Sequence, residues 1–139
     1  MRYNYNDGGR RDAGFKGETG DCVTRAIAIA TGTPYRQVYR ELTELTKSMT
    51  GGLETSVANG CSNAVAHRYL IDLGWSVVPT PKTYLKDAPR DQRILVKLTE
   101  RHDVAVINGT VHDTWDSRVS RRTKCKSPKM AGYYRAPSS

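Results

Sequence analysis

Gly20-Asp21-Cys22-Val23-Thr24-Arg25-Ala26-Ile27-Ala28-Ile29-Ala30-Thr31-Gly32 is the stretch around which this 139-residue chain organises itself. Asp21 reads as an N-cap, whose carboxylate accepts from the free amides of a first helical turn. Gly32 reads as the matching stop, because helices commonly end on a left-handed glycine. Val23, Ala26, Ile27, Ile29 and Ala30 make the helix between them nearly all apolar, the composition of a helix buried inside a fold. Cys22 then stands at the N-terminal tip of that helix. The helix dipole and the unpaired amides there favour negative charge, and so a thiolate. A cysteine so placed is a nucleophile only if a base stands beside it.

A chain of this length is expected to form one domain over residues 1–139, with a core that needs no staples. Cys22, Cys61 and Cys125 are an odd number without close spacing, which argues against a disulfide framework. Met1-Arg2-Tyr3-Asn4-Tyr5-Asn6 lacks the apolar run of a signal peptide, and no stretch approaches the length of a membrane span. A soluble protein of a reducing cytoplasm, with no membrane partner, is expected. The net charge of +8 is uneven. Arg118, Arg121, Arg122, Lys124, Lys126, Lys129 and Arg135 all follow the last acid, Asp116, while the other 15 bases nearly balance the 14 acids. Residues 118–139 are therefore a basic C-terminal segment. It suits an acidic partner or nucleic acid, and equally a solvated surface that keeps a small protein soluble.

Residues 1–19 read as an N-terminal loop with a turn at Asn6-Asp7-Gly8-Gly9. A second helix is expected with Thr33 as N-cap and Pro34 in its first position. It shows Tyr35, Val38, Tyr39, Leu42 and Leu45 on one face and stops at Gly51-Gly52. A third helix runs from Ser62 to Leu73, ahead of Gly74. Trp75 to Pro79 reads as a short strand, Pro79 to Asp91 as a loop, and Arg93 to Leu98 as a strand. Two β-type runs, His102 to Ile107 and Thr110 to Trp115, flank Asn108-Gly109, the strongest short hairpin signal. A last strand covers Met130 to Arg135. Helices first and strands second predict an α+β fold, with N-terminal helices packed on a C-terminal antiparallel sheet.

A two-residue hairpin loop pairs Ile107 with Thr110, Val104 with Asp113, and His102 with Trp115. His102, Val104, Val106, Val111, Asp113 and Trp115 then share one face, while His112 and Asp116 point to the other. His102 and Asp113 are diagonal neighbours, so the carboxylate can fix the imidazole tautomer. Trp115 beside them would exclude water and strengthen that bond. If this face meets the helix tip, Cys22, His102 and Asp113 form a nucleophile, a base and an orienting group. Taken singly, each residue has an ordinary reading: Cys22 as core packing, His102 as a surface histidine, Trp115 as core. Cys61 opens the third helix without a comparably placed histidine, and ranks below Cys22. No zinc-ligand spacing, phosphate loop or dinucleotide fingerprint occurs, so no metal and no cofactor are expected.

A Cys opening a buried helix, a His beginning a strand, then an acid or amide residue, a small residue and Trp: in this order the chain resembles the papain-like cysteine peptidases. Their Asn-Ser-Trp stands where this chain has Asp113-Thr114-Trp115. The resemblance runs from Cys22 to Trp115. It implies a compact papain-like fold and a thiol hydrolase cleaving a peptide or isopeptide-type amide in a protein or peptide substrate. Cys22 would be the nucleophile, His102 the general base and Asp113 the orienting residue. The family's oxyanion Gln, six residues before its Cys, is Lys16 here, so the Lys16 ammonium and the Cys22 amide are the expected donors. Val23-Thr24 replace the small residue and aromatic usual after the Cys, and the shorter chain implies a reduced cleft. Asn6-Asp7-Gly8-Gly9-Arg10, Gly17-Glu18-Thr19-Gly20-Asp21-Cys22 and His112-Asp113-Thr114-Trp115 also resemble a group of small proteins frequent in phage and bacterial genomes, which implies no particular activity. The same triad serves acyl transfer and deamidation. A non-catalytic basic protein that binds nucleic acid or ribosomes is the remaining reading.

Overall fold

A computed structural model describes residues 1–15, 20–58, 60–124 and 126–137. Among them are three α-helices, α1 (Cys22–Thr31), α2 (Tyr35–Met49) and α3 (Asn63–Asp72). The strands are β1 (Arg2–Tyr5), β2 (Ser76–Tyr84), β3 (Arg93–Leu98), β4 (His102–Ile107), β5 (Thr110–Asp113) and β6 (Lys129–Arg135). They form one sheet in the order β1-β5-β4-β3-β6-β2. Every neighbouring pair is antiparallel except β1, which runs parallel to β5. The architecture is α+β.

The local signals explain the helices. Gly32 ends α1 at φ 70°, returning its N–H to the last turn. Ser62 Oγ accepts from the Val65 N–H at 3.2 Å and starts α3. α2 begins one residue later than predicted: Pro34 sits at ψ 138°, outside helical geometry, and so precedes the helix instead of opening it. α1 lies across β4 and β3, with α2 against it. Its Ile27 and Ala30 are wholly buried, in a core with Val38, Leu42 and Leu70 from the other helices and Leu95, Ala105 and Tyr134 from the sheet. The opposite sheet face buries Ile94, Val96, Val104, Val106 and Val111 under Leu85 and Met130.

Three expectations are corrected. Residues 1–19 are not all loop, because Arg2–Tyr5 forms β1, and its parallel pairing makes the sheet mixed and not antiparallel. Only Tyr3 of that strand is even half-buried, so no apolar alternation advertises it. β2 continues to Tyr84 through Pro79 and Pro81, a region expected to be loop. It is the outermost strand, where a residue without an N–H is tolerated, and its register shifts between Pro79 and Thr83. β6, part of the basic segment, lies inside the sheet between β3 and β2. Gly132 permits that fit: a Cβ there would stand 2.8 Å from the Val78 carbonyl oxygen. No helix among the described residues is long and apolar enough to cross a membrane.

Candidate active site

The tip of α1 departs from its expected cap. The Asp21 side chain makes no capping hydrogen bond. Its Oδ1 accepts from Arg25 Nη1 at 2.5 Å, and its Oδ2 accepts from the Tyr35 hydroxyl at 2.8 Å and forms an ion pair with Arg10, Nε at 3.0 Å. Guanidinium ions are stronger, charge-assisted partners than amides, and they draw the carboxylate away from the helix. Asp21 thereby leaves the first-turn N–H groups, Cys22's among them, without its carboxylate as a cap, an arrangement suited to an anion. Asp21 and Arg25 are themselves buried. The Asn6–Gly9 turn presses on the helix at this point: Gly8 has φ +69°, and a Cβ there would lie 3.2 Å from the Arg25 carbonyl oxygen.

The hairpin has the predicted register, Ile107 opposite Thr110, Val106 opposite Val111 and Ala105 opposite His112. Asn108 (φ 49°) and Gly109 (φ 80°) give the two left-handed residues of a tight hairpin turn. His102 Nε2 meets Asp113 Oδ2 at 2.5 Å. The second oxygen of Asp113 accepts from the Thr114 N–H at 2.7 Å and from Arg25 Nη2 at 3.3 Å. Its backbone carbonyl accepts from the Asn6 N–H at 2.9 Å and the Tyr3 hydroxyl at 3.2 Å, so β1 and the following turn fix it. Asp113 is 2 % exposed. The expectation that one hairpin face would meet the helix is corrected. Val104, Val106 and Val111 fill the core on the far side of the sheet, while Ala105 faces the helices. It is the open end of the hairpin that reaches α1. There His102 and Asp113 lie beyond the last cross-strand pair and turn toward the Arg25 guanidinium and the Cys22 side chain.

Burial opposes charge on His102, but hydrogen bonding to Asp113 and to Cys22, and their negative charges, outweigh it and raise its pKa to about 9. Burial likewise opposes charge on Asp113. The hydrogen bond and positive charge of His102, with the Thr114 amide, nevertheless hold it below the usual carboxylate range. The pair is an imidazolium on a carboxylate at neutral pH. With Nε2 committed to Asp113, Nδ1 is left for Cys22. Thiol and ring interact directly, and catalytic pairs of this kind commonly tighten in the reacting complex. The Trp115 ring lies 4.9 Å from the imidazole, centroid to centroid.

Cys22 is half-exposed and borders two cavities. One, about 650 Å³, is lined by Tyr5, Arg10, Arg25, His102 and Trp115 among others. The other, about 530 Å³, is lined by Val23, Cys61, Lys97 and Asp103 among others. Both include Gly20 and Cys22, so the two cavities meet at the tip of α1.

Comparisons with protein-family models, curated proteins and solved structures find no significant match.

Of the residues singled out in the sequence, Cys22, His102, Asp113 and Trp115 come together. Lys16 lies outside the described residues, as do Gly17-Glu18-Thr19 and Cys125. His112 is elsewhere, its Nδ1 beside the amide nitrogens of Asn4 (3.4 Å) and Asn6 (3.2 Å), with its pKa lowered by burial and by Arg93. Burial, then the charge of Asp103 on β4, pushes the Cys61 thiol up to about 12. Cys61 is thus a neutral thiol at pH 7. Sequence reasoning missed Arg25, Arg10 and Tyr35. For Arg25 a signal existed: it is the only charged residue inside α1, four residues after Asp21.

Proposed function

We propose that this chain is a small papain-like thiol hydrolase that cleaves a peptide or isopeptide-type amide through Cys22, His102 and Asp113. The observation that carries this reading is a buried Asp113–His102 ion pair set against a half-exposed cysteine at a helix tip that Asp21 does not cap. The chemistry follows from the charges. The Cys22 thiolate attacks the carbonyl carbon, and the oxyanion that forms is received by the Cys22 N–H. As the carbon–nitrogen bond breaks, His102 gives its Nδ1 proton to the departing amine. A water then loses a proton to His102 and attacks the thioester, releasing the acid and the thiolate. Asp113 holds the ring's tautomer and balances its charge throughout, while Trp115 shields the pair. A reducing compartment such as the cytoplasm suits a thiol nucleophile.

Cys61 provides an internal control. Iodoacetamide should label Cys22 at least about tenfold faster than Cys61, since the thiolate is the reacting form. Cys22→Ala should abolish both that labelling and amide hydrolysis while leaving the circular dichroism unchanged. Labelling of Cys22 no faster than Cys61 overturns the reading.

A further inference from the structure

We propose that the cavity beyond His102 binds a carboxylate on the leaving-group portion of the substrate, an inference that rests on the hydrolase reading for its direction. This cavity, about 390 Å³, is walled by Arg101, Arg121 and Arg122 together with His102, Trp115 and Glu100. Elsewhere the arginines near the site are paired: Arg25 with Asp21 and Asp113, Arg10 with Asp21, Arg118 with Asp116. Among the described residues, no carboxylate pairs with Arg101, Arg121 or Arg122. Glu100 is the acid of this wall, and its Oε1 accepts from the Ser120 hydroxyl. Three guanidinium ions against one carboxylate leave the cavity positive, before the charge on His102 is added.

The turn that carries Arg121 and Arg122 is held in place. Buried Ser120 organises their turn: its hydroxyl oxygen accepts from the Arg122 N–H at 3.1 Å and the Thr123 N–H at 3.3 Å, and its carbonyl accepts from the Lys124 N–H at 2.8 Å. The Ser120–Glu100 bond ties this turn to the β3–β4 turn, where Arg101 stands at φ 58°. The Arg121 guanidinium lies over the Trp115 ring, 3.9 Å from its centroid, and Trp115 in turn lies against His102. Arginine forks match carboxylates with paired, charge-assisted hydrogen bonds. Because His102 must hand its proton to the departing amine, the part of the substrate carrying that amine lies on the His102 side. The carboxylate is either an acidic side chain near the new N-terminus or a terminal carboxylate.

Three dipeptides that mimic the released product separate these sources: Glu-Ala-NH2 offers the side-chain carboxylate, Gln-Ala the terminal one, and Gln-Ala-NH2 neither. Titrated into the full chain by calorimetry, one of the first two should bind about tenfold tighter than the third, the scale of one charge-assisted contact. The tighter one names the source. Arg121→Gln with Arg122→Gln, both exposed positions, should erase the difference while thermal unfolding stays as in the unaltered chain. Equal binding of all three dipeptides overturns the proposal. So does a preference that survives the double substitution, or a mixed-sequence RNA oligomer that binds through these arginines when the dipeptides show no preference. Iodoacetamide labelling of Cys22 in the same preparations reads the hydrolase reading separately. Slow labelling with an intact preference removes the hydrolase and leaves the carboxylate site; fast labelling without preference does the reverse.

Discussion

His102 holds a positive charge that its burial opposes, and the pH dependence of the molecule follows from that conflict. Its pKa of about 9 lies above the ordinary 6.5, so its contribution to stability is complete below pH 6.5 and is lost as pH rises toward 9. Asp113 has the opposite sign: its contribution holds above the ordinary carboxylate range and is lost as pH falls through its lowered pKa. Urea unfolding across the alkaline range should therefore show declining stability between pH 6.5 and 9, and His102→Gln should flatten that decline. The alkaline limb of kcat/KM should fall near pH 9, and Asp113→Asn should move it to lower pH, because the Asp113 bond is the chief influence raising the ring's pKa. Arg25 presents a second conflict of the same kind. It lies between two buried carboxylates, Asp21 and Asp113. Arg25→Met leaves both facing each other without their shared cation, and should destabilise the fold by about 3–5 kcal/mol, the scale for breaking a buried pair. Arg25→Lys should recover only part of that, since one ammonium cannot reproduce a forked contact to two acids. Urea midpoints check both.

Among the elements, the β4–β5 hairpin decides whether His102 and Asp113 meet. Its turn depends on two residues at positive φ, and a Cβ on Gly109 would also stand 3.3 Å from the Arg90 Cβ. Gly109→Ala should cost about 1–2 kcal/mol, read by thermal unfolding, without moving the pH profile of whatever folded protein remains. This hairpin was legible in the sequence because Asn108-Gly109 carries its own geometry. So were the Gly32 stop of α1 and the Ser62 cap of α3, which need only a few neighbouring residues. That His102 meets Asp113 was legible from the hairpin, although the contact forms at its open end and not on the expected face. β1 was not, because its stability comes from Val111 and Asp113, more than 100 residues away, and not from its own side chains. Beyond the four-residue spacing of Asp21 and Arg25, the Asp21–Arg25–Asp113 network was illegible for the same reason. Asp21 looks like a cap to its local sequence, and only the arrival of Arg10 and Tyr35 from other parts of the chain turns it away from the helix.

At the scale of the whole molecule, the charge asymmetry of the sequence does not describe a detachable tail. Arg118 is bonded to Asp116 and to the Met1 carbonyl, Arg121 lies on Trp115, and Lys129 to Arg135 is β6. Removing residues 118–139 would take a strand from between β3 and β2, exposing Leu95, Val96 and the edge of β2 together. A chain ending at residue 117 should show no cooperative unfolding transition by circular dichroism in urea. Charge in this region must be tested by point substitution, as at Arg121 and Arg122. The place of β6 also bears on synthesis. Its neighbours β3 and β2 are made well before it, yet neither is joined to the other until residues 129–135 slide between them. A nascent chain that has emerged only as far as β3 has an open sheet and no finished wall beside Cys22. The cavity that Cys22 shares with Ala131 closes on that side only when residues 129–135 have paired with both β3 and β2.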